Sequence, residues 1–431
     1  MRPYLLLFAL AAGAYCGPED SFVLRGVTVH PITSAVIPSA NVVVTDGRIA
    51  EVGPKAVGSR GHRVIEAKGM HLYPGMIDSA SMVGLSEIGS LRETQDTGEL
   101  GDFNPQLRSL SAVNPSSEHI PVVRASGITA SMIVPSGGFI GGQTALLHLE
   151  GRTWEEMVIE KSAAMQMRLP TLETAIQARG IQPLTRRPFP EVRRKYTENM
   201  RNVRRFFTDA RAYRNRKANP QTGFQPDLRF EAMLPVLEGT KPLLMYAERE
   251  RAIRDALALA ESEKVKVVLA GVREVEPFLQ VLAQKQIAVI LPDLYSNPLD
   301  EDAPLDEPIN LPAKLFRAGV KFAFGSHSME RPRDLPFQAA NAVAQGLPVE
   351  EALRALTIVP AEIWGVADKI GSIAPGKYAD LILTDGDPLE TRTQILRMWI
   401  MGKPVSLESR HTRLYERYSR TGTSSPPQLP H

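Results

Sequence analysis

Apolar and polar positions alternate in short runs between residues 21 and about 70. Phe22-Val23-Leu24 and Val27-Thr28-Val29 are apolar and β-branched, and Asn41-Val42-Val43-Val44-Thr45 meets Arg48-Ile49-Ala50-Glu51-Val52 across Asp46-Gly47. A two-residue Asp-Gly link between such runs is a hairpin turn, because both turn positions need positive φ. From Tyr73 the pattern changes to apolar runs separated by amphipathic stretches, the sign of a parallel α/β sheet or barrel. Strands are expected at Thr129–Val134, Thr144–Leu149, Pro242–Tyr246, Lys266–Leu269, Ile287–Leu291 and Lys321–Phe324. Helices are expected at Arg249–Ser262, Val275–Gln284 and Leu335–Gln345.

The first residues change the compartment expected. Met1-Arg2 precede an apolar run from Tyr4 to Ala12, too short to span a bilayer, and Ala12-Gly13-Ala14 is a small-x-small cleavage site. Residues 1–14 therefore read as a signal peptide, and the mature protein as periplasmic or secreted. Cys16 is the only cysteine, so no intrachain disulfide is possible. Membrane contact would require lipidation at Cys16, and bulky Tyr15 stands before it where a small residue is usual. At 431 residues, 43% apolar and 23% charged, the chain can bury one large and one smaller core. A net charge of +2 gives no reason to expect nucleic acid.

Two ordered motifs carry a resemblance. His71-Leu72-Tyr73-Pro74-Gly75-Met76-Ile77-Asp78, followed by Ser79-Ala80-Ser81-Met82, resembles the first barrel strand of the amidohydrolase superfamily, which ends Pro-Gly-x-Ile-Asp-x-His-x-His. Gly371-Ser372-Ile373-Ala374-Pro375-Gly376-Lys377-Tyr378-Ala379-Asp380-Leu381 is similar to that family's Gly-x-Ile-x-x-Gly-x-x-Ala-Asp-Leu signature. The resemblance covers residues 22 to about 405. It implies an α/β fold: a (β/α)8 TIM-like barrel at residues 73–371 and a small composite β-sandwich domain from both chain ends, residues 21–72 plus 372–410. A polar tail follows at residues 411–431.

The resemblance also implies zinc and hydrolysis of non-peptide C–N bonds, closest in style to imidazolonepropionase-like and metal-dependent dipeptidase-like members. The residues at the ligand positions speak against both. Ala80 and Met82 stand where the paired histidines belong, Tyr246 at the fifth-strand histidine, Gly271 at the sixth, and His327 at the eighth-strand aspartate. Ala and Gly carry no donor, and a thioether suits soft ions. Lys161 is the nearest lysine for a fourth-strand ligand. The eight histidines support this reading: no two lie within eight residues, so neither a His-x-His strand pair nor a His-Glu-x-x-His helix exists. No metal and no cofactor are expected. The weak catalytic candidates are His327 and Asp78, with Ser79, Ser81, Ser326 and Ser328 expected nearby. Glu248 completes the one chance metal assembly with those two.

The chain therefore reads as a family member without its metal site, a binding protein or partner subunit. It would hold a small molecule in the barrel mouth and form a homo-oligomer or a complex with an intact amidohydrolase. The alternative is a hydrolase of cyclic amides or acyl-dipeptides with a non-standard or metal-free mechanism. The acidic connection from Gly84 to Glu118 is expected to overhang the pocket, and the glycine run 136–142 to turn at its mouth. From Arg186 to Lys217 twelve Lys/Arg accompany three Asp/Glu on a helix with one apolar face. That face is either simply solvated or meets anionic lipid or an acidic partner.

Overall fold

Asp46 and Gly47 both take positive φ, +50° and +73°, and the strands they join, Ile37–Thr45 and Arg48–Gly53, pair antiparallel. The structure, a computed structural model, describes residues 20–59, 61–176, 185–220, 222–300 and 302–419. The expected signal peptide, Cys16 and the last twelve residues of the polar tail lie outside them.

The two ends of the chain meet as expected. His71–Pro74 pairs in parallel with Phe22–Val29 on one side and antiparallel with Leu381–Thr384 on the other. Ile395–Ile400 and Lys403–Val405 extend the sheet beyond Leu381–Thr384. Hydrogen bonding joins all eight strands into one sheet, not the two sheets of a sandwich. The reason is a bulge in Phe22–Val29, where the register shifts between Leu24 and Val27 and Gly26 has φ +70°. The bend lets the first half of that strand take Arg63–Glu66 and the second half His71–Pro74. Phe22, Leu24, Val42, Val44, Leu72, Leu381 and Trp399 bury a common core, with Phe22 stacked on Trp399 at 5.1 Å.

The middle of the chain builds two further sheets. One orders Val158–Glu160, Ala145–His148, Ile128–Ile133 and Met76–Ser81; the other orders Phe322–Ala323, Val289–Ile290, Val267–Ala270, Leu243–Tyr246, Met165–Arg168 and Ile140–Gln143. They join on both sides. Ile140–Gln143 runs through Thr144 into Ala145–His148, so one bent segment serves both sheets. On the far side the Ser79 amide donates to the Phe324 carbonyl (3.0 Å) and the His327 amide to the Ala80 carbonyl (2.7 Å). The strands thus follow one hydrogen-bonded circuit.

The strand–helix alternation expected from Tyr73 onward is interrupted between Ile128–Ile133 and Met165–Arg168, where Val158–Glu160 also adds an antiparallel strand. Ile140–His148 runs antiparallel to both neighbours. Residues 134–139 are too few to form the crossover that a parallel neighbour needs. Elsewhere Glu250–Glu263, Leu279–Gln284, Glu307–Arg317 and Leu335–Ala344 are helices, the second preceded by a 3-10 turn over Glu276–Phe278.

Alternate side chains of the same strands enter two different cores, as period-two geometry requires. Ile77, Ala130, Met132, Leu146, Leu244, Val268, Ile290 and Ala323 pack together. Met76, Ile133, Leu147, Leu243, Leu269, Val289 and Phe322 pack with helix residues such as Ile253, Leu315 and Leu335. Within the polar tail, Arg410–Ser419 forms a helix. Ser409 and Thr412 cap it reciprocally, the Ser409 amide donating to Thr412 Oγ1 (2.9 Å) and the Thr412 amide to Ser409 Oγ (3.4 Å).

Candidate functional site

Every residue of Met76–Ser81 is buried, so a carboxylate on it must find its partners inside the protein. Asp78 finds three. Its Oδ1 accepts from the Ser326 amide (3.0 Å) and the Ala80 amide (3.2 Å), and its Oδ2 from the Ser326 hydroxyl (2.5 Å). Burial nevertheless pushes the carboxyl up to about 6, against the pull of the Ser326 bonds. Asp78 ties the first strand of the circuit to the turn after the last. As a catalytic candidate it is corrected: it neither orients His327 nor lines the cavity described below.

The expected serine cluster forms no Ser–His pair. Ser326 Oγ serves Asp78, Ser81 Oγ donates to the Ser328 carbonyl (3.2 Å), and Ser79 Oγ is buried without a protein partner.

His327 sits at φ +51° and both its ring nitrogens are engaged. Nε2 lies 2.7 Å from the Leu291 carbonyl, which only accepts, so Nε2 carries the proton. Nδ1 is then the acceptor for the Tyr246 hydroxyl at 3.2 Å. Burial holds the imidazole below its ordinary pKa and the Tyr246 phenol above its own, so the pair is neutral and mutually satisfied.

Of the remaining positions Gly271 lies against this pair, while Ala80 and Met82, expected to line the pocket, do not line the cavity. Ala80 has 0% exposure and lies in the apolar cluster with Ile77, Ala130 and Ile290. Gly325 permits that closeness, since a Cβ there would lie 2.6 Å from Ile290 Cγ2 and 3.3 Å from Ala80 Cβ. Gly271, at φ +67°, faces the Tyr246 ring, and the Met82 amide donates to the Ser328 carbonyl (3.1 Å). These residues do not fit zinc. Their one imidazole has no free lone pair, and among the described residues no three His, Cys, Asp or Glu side chains converge. The chance assembly of His327, Asp78 and Glu248 does not form.

A cavity of about 710 Å³ opens beside Tyr246, Gly271 and His327. Its charged lining was largely missed in the sequence. The fourth strand ends at Arg168; Lys161 is exposed and precedes that strand. The Arg168 guanidinium lies 5.0 Å from the centre of the Tyr246 ring and makes no hydrogen bond or ion pair with a described residue. Glu248 and Glu173 also line the cavity without such partners, and desolvation, aided by Glu173, raises the Glu248 carboxyl above its ordinary range. The other charges there are spent: Arg249 on Glu274 (2.8 Å), Arg251 on Asp255 (3.7 Å) and Asp293 on Arg331.

The acidic connection from Gly84 to Glu118 does not line this cavity. It packs on the glycine run instead, with the Ser136 amide donating to the Thr97 carbonyl (2.6 Å) and the Phe139 amide to the Asp102 carbonyl (2.7 Å).

Comparison with known proteins follows from this geometry. Residues 279–405 match the family model described as Amidohydrolase family. The chain is 25% identical over 422 residues to the amidohydrolase tasK of Hapsidospora irregularis, covering 86% of this chain and 41% of that protein. It therefore spans about two-fifths of that relative's length. Imidazolonepropionase of Porphyromonas gingivalis is 25% identical over 386 residues, covering 82% of this chain and 84% of the relative. Among solved structures, an amidohydrolase from Thermotoga maritima aligns with a TM-score of 0.76 and 27% identity over 89% of this chain and 99% of its own. Such neighbours imply a TIM barrel with an additional domain.

Proposed function

We propose, from the premise that this chain carries an amidohydrolase-family domain, that it is a barrel protein of that family which binds a small zwitterion and does not hydrolyse it. The circuit of strands is read as the family's (β/α)8 barrel with one reversed strand. The single observation that carries the non-catalytic reading is the commitment of both His327 nitrogens to Tyr246 and Leu291. Without a metal an attacking water keeps a pKa near ~15.7 instead of ~7, and the carbonyl has no Lewis acid. His327 has no lone pair left to act as a base in its place.

The cavity supports the choice of ligand. The Arg168 fork suits a carboxylate, and Glu248 with Glu173 suits an ammonium group, which together describe an amino acid or a short peptide. The wall between them is apolar, from Tyr246 and Ala247. The family origin keeps one rival reading in play, a hydrolase of C–N bonds working by a different mechanism. Export to the periplasm or beyond, and pairing with an intact amidohydrolase, belong to the same proposal.

Two measurements on purified protein test it. Elemental analysis is expected to find far less than one zinc or iron per chain. A thermal-shift screen of amino acids and dipeptides is expected to yield a ligand that survives incubation unchanged. One tightly held metal per chain, or cleavage of the bound peptide, would overturn the proposal.

A further inference from the structure

The 30-residue helix Phe189–Ala218 turns Arg193, Arg194, Arg201 and Arg204 to the outside, and none of them pairs with a described carboxylate. At its start Phe189 is 51% exposed, beside a groove of about 500 Å³ along Arg193, Arg194, Thr197, Glu198 and Arg201. The stretch from Ile88 to Asp102 has the opposite character. Glu93, Asp96, Glu99 and Asp102 are exposed there, and their carboxylates have no described partner. Between them Ile88, Leu91 and Leu100 face solvent, Leu100 at 88% exposure.

The two stretches lie on the same flank. Phe103 stacks on Phe206 with ring centres 4.5 Å apart, which sets the end of the acidic stretch against the middle of the basic helix. Even so, no ion pair joins them within the chain. Each surface combines exposed apolar side chains with charge predominantly of one sign, Glu198 being the exception in the arginine groove and Arg92 in the acidic stretch, the composition of an interface core with a charged rim.

We propose that this flank is a two-fold interface between copies of this chain, the acidic stretch of each copy lying on the arginine face of the other. A two-fold rotation exchanges adjacent patches, so both complementary contacts form at once. An anionic membrane fits less well, because the neighbouring acidic stretch would be pressed against like charge. The inference does not depend on what the barrel mouth binds.

The test uses the full chain in sedimentation and light scattering at tens of micromolar. Wild-type protein is expected to be dimeric at about 50 mM salt and to dissociate toward 1 M, where charges are screened beyond roughly 3 Å. Arg193→Glu with Arg194→Glu and Arg201→Glu is expected to weaken the dimer at least about tenfold, as is Glu93→Lys with Asp96→Lys and Glu99→Lys. Mixing the two variants restores both complementary contacts, so a mixed dimer is expected where neither variant dimerises alone. This rescue separates lost pairing from lost folding. A monomeric wild type, a dimer untouched by either reversal, or failure of the mixture to associate would overturn the proposal. So would a monomer that instead binds vesicles of anionic lipid through the same arginines.

Discussion

Replacing Asp78 by Asn should make the protein more stable at neutral pH, although it removes a carboxylate with three hydrogen bonds. Burial carries the Asp78 carboxyl from an ordinary 3.8 to about 6. At about 1.4 kcal/mol for each tenfold change in proton affinity, holding the ionised form inside the fold costs about 3 kcal/mol. The sign follows from linkage. Between pH 3.8 and about 6 the folded chain keeps a proton that the unfolded chain has lost. Stability from this group is complete below 3.8, declines as pH rises through about 6, and is level above it.

Asparagine mimics the protonated form. Its carbonyl can accept from the Ser326 and Ala80 amides, and its NH2 can donate to Ser326 Oγ. That hydroxyl then turns its proton to the Ala80 or Ser328 carbonyl, each 3.3 Å away. Urea unfolding followed by the fluorescence of buried Trp364 and Trp399 reads the effect. The variant should exceed wild type by about 2–3 kcal/mol at pH 7.5, match it near pH 4, and show no pH slope from this group. A variant less stable than wild type by more than about 1 kcal/mol at pH 7.5 would refute the reasoning. It would mean that the charged bonds from Ser326 outweigh desolvation.

Three further outcomes are expected. Ala80→His with Met82→His should remain inert toward acyl-dipeptides, hydantoins and lactams in added zinc, and lose about 1–3 kcal/mol from overpacking against Ile290 and Gly325; zinc-dependent turnover above background would contradict this. Asp380→Ala should cost about 3–5 kcal/mol in chemical denaturation, because it strands the buried His148 ring that Asp380 meets at 2.8 Å. Intact-mass measurement of exported material should place the mature N-terminus at Tyr15; a chain retaining Met1 would remove the signal peptide, and an acylated Cys16 would replace it with a lipid anchor.

Much of this architecture was legible because single positions admit few conformations. Asp46-Gly47 announced its hairpin through the need for positive φ, and the apolar runs marked six of the later strands to within a residue or two, but not Ile140–Gln143, Val158–Glu160 or Met165–Arg168. Of the five positions named from the motif, Tyr246, Gly271 and His327 line one cavity, whereas Ala80 is buried away from it and Met82 is not among its lining residues. Direction was legible only from spacing: apolar periodicity is the same for a strand running either way, and the one sign of reversal at Ile140–His148 was the short glycine-rich link before it. Arg168 was missed because a lone arginine after an apolar run has no pattern of its own. The pair of His148 and Asp380, 232 residues apart, leaves no local trace. The helix at Arg410–Ser419 was hidden by polar composition, although Ser409 and Thr412 stood at capping distance.

The joining of the two chain ends in one sheet also sets a clock. Leu72 pairs with Leu383, so the strand that links the N-terminal hairpins to the rest must wait for the last fifth of the chain. At ~5–20 residues per second on the ribosome, that wait is roughly 15–60 s. Throughout it His71–Pro74 offers an unpaired edge to any passing β-segment. A holding factor, or slow collapse, would protect that edge until the far end arrives. Truncation near the C-terminus would therefore be felt first at residues 22–74.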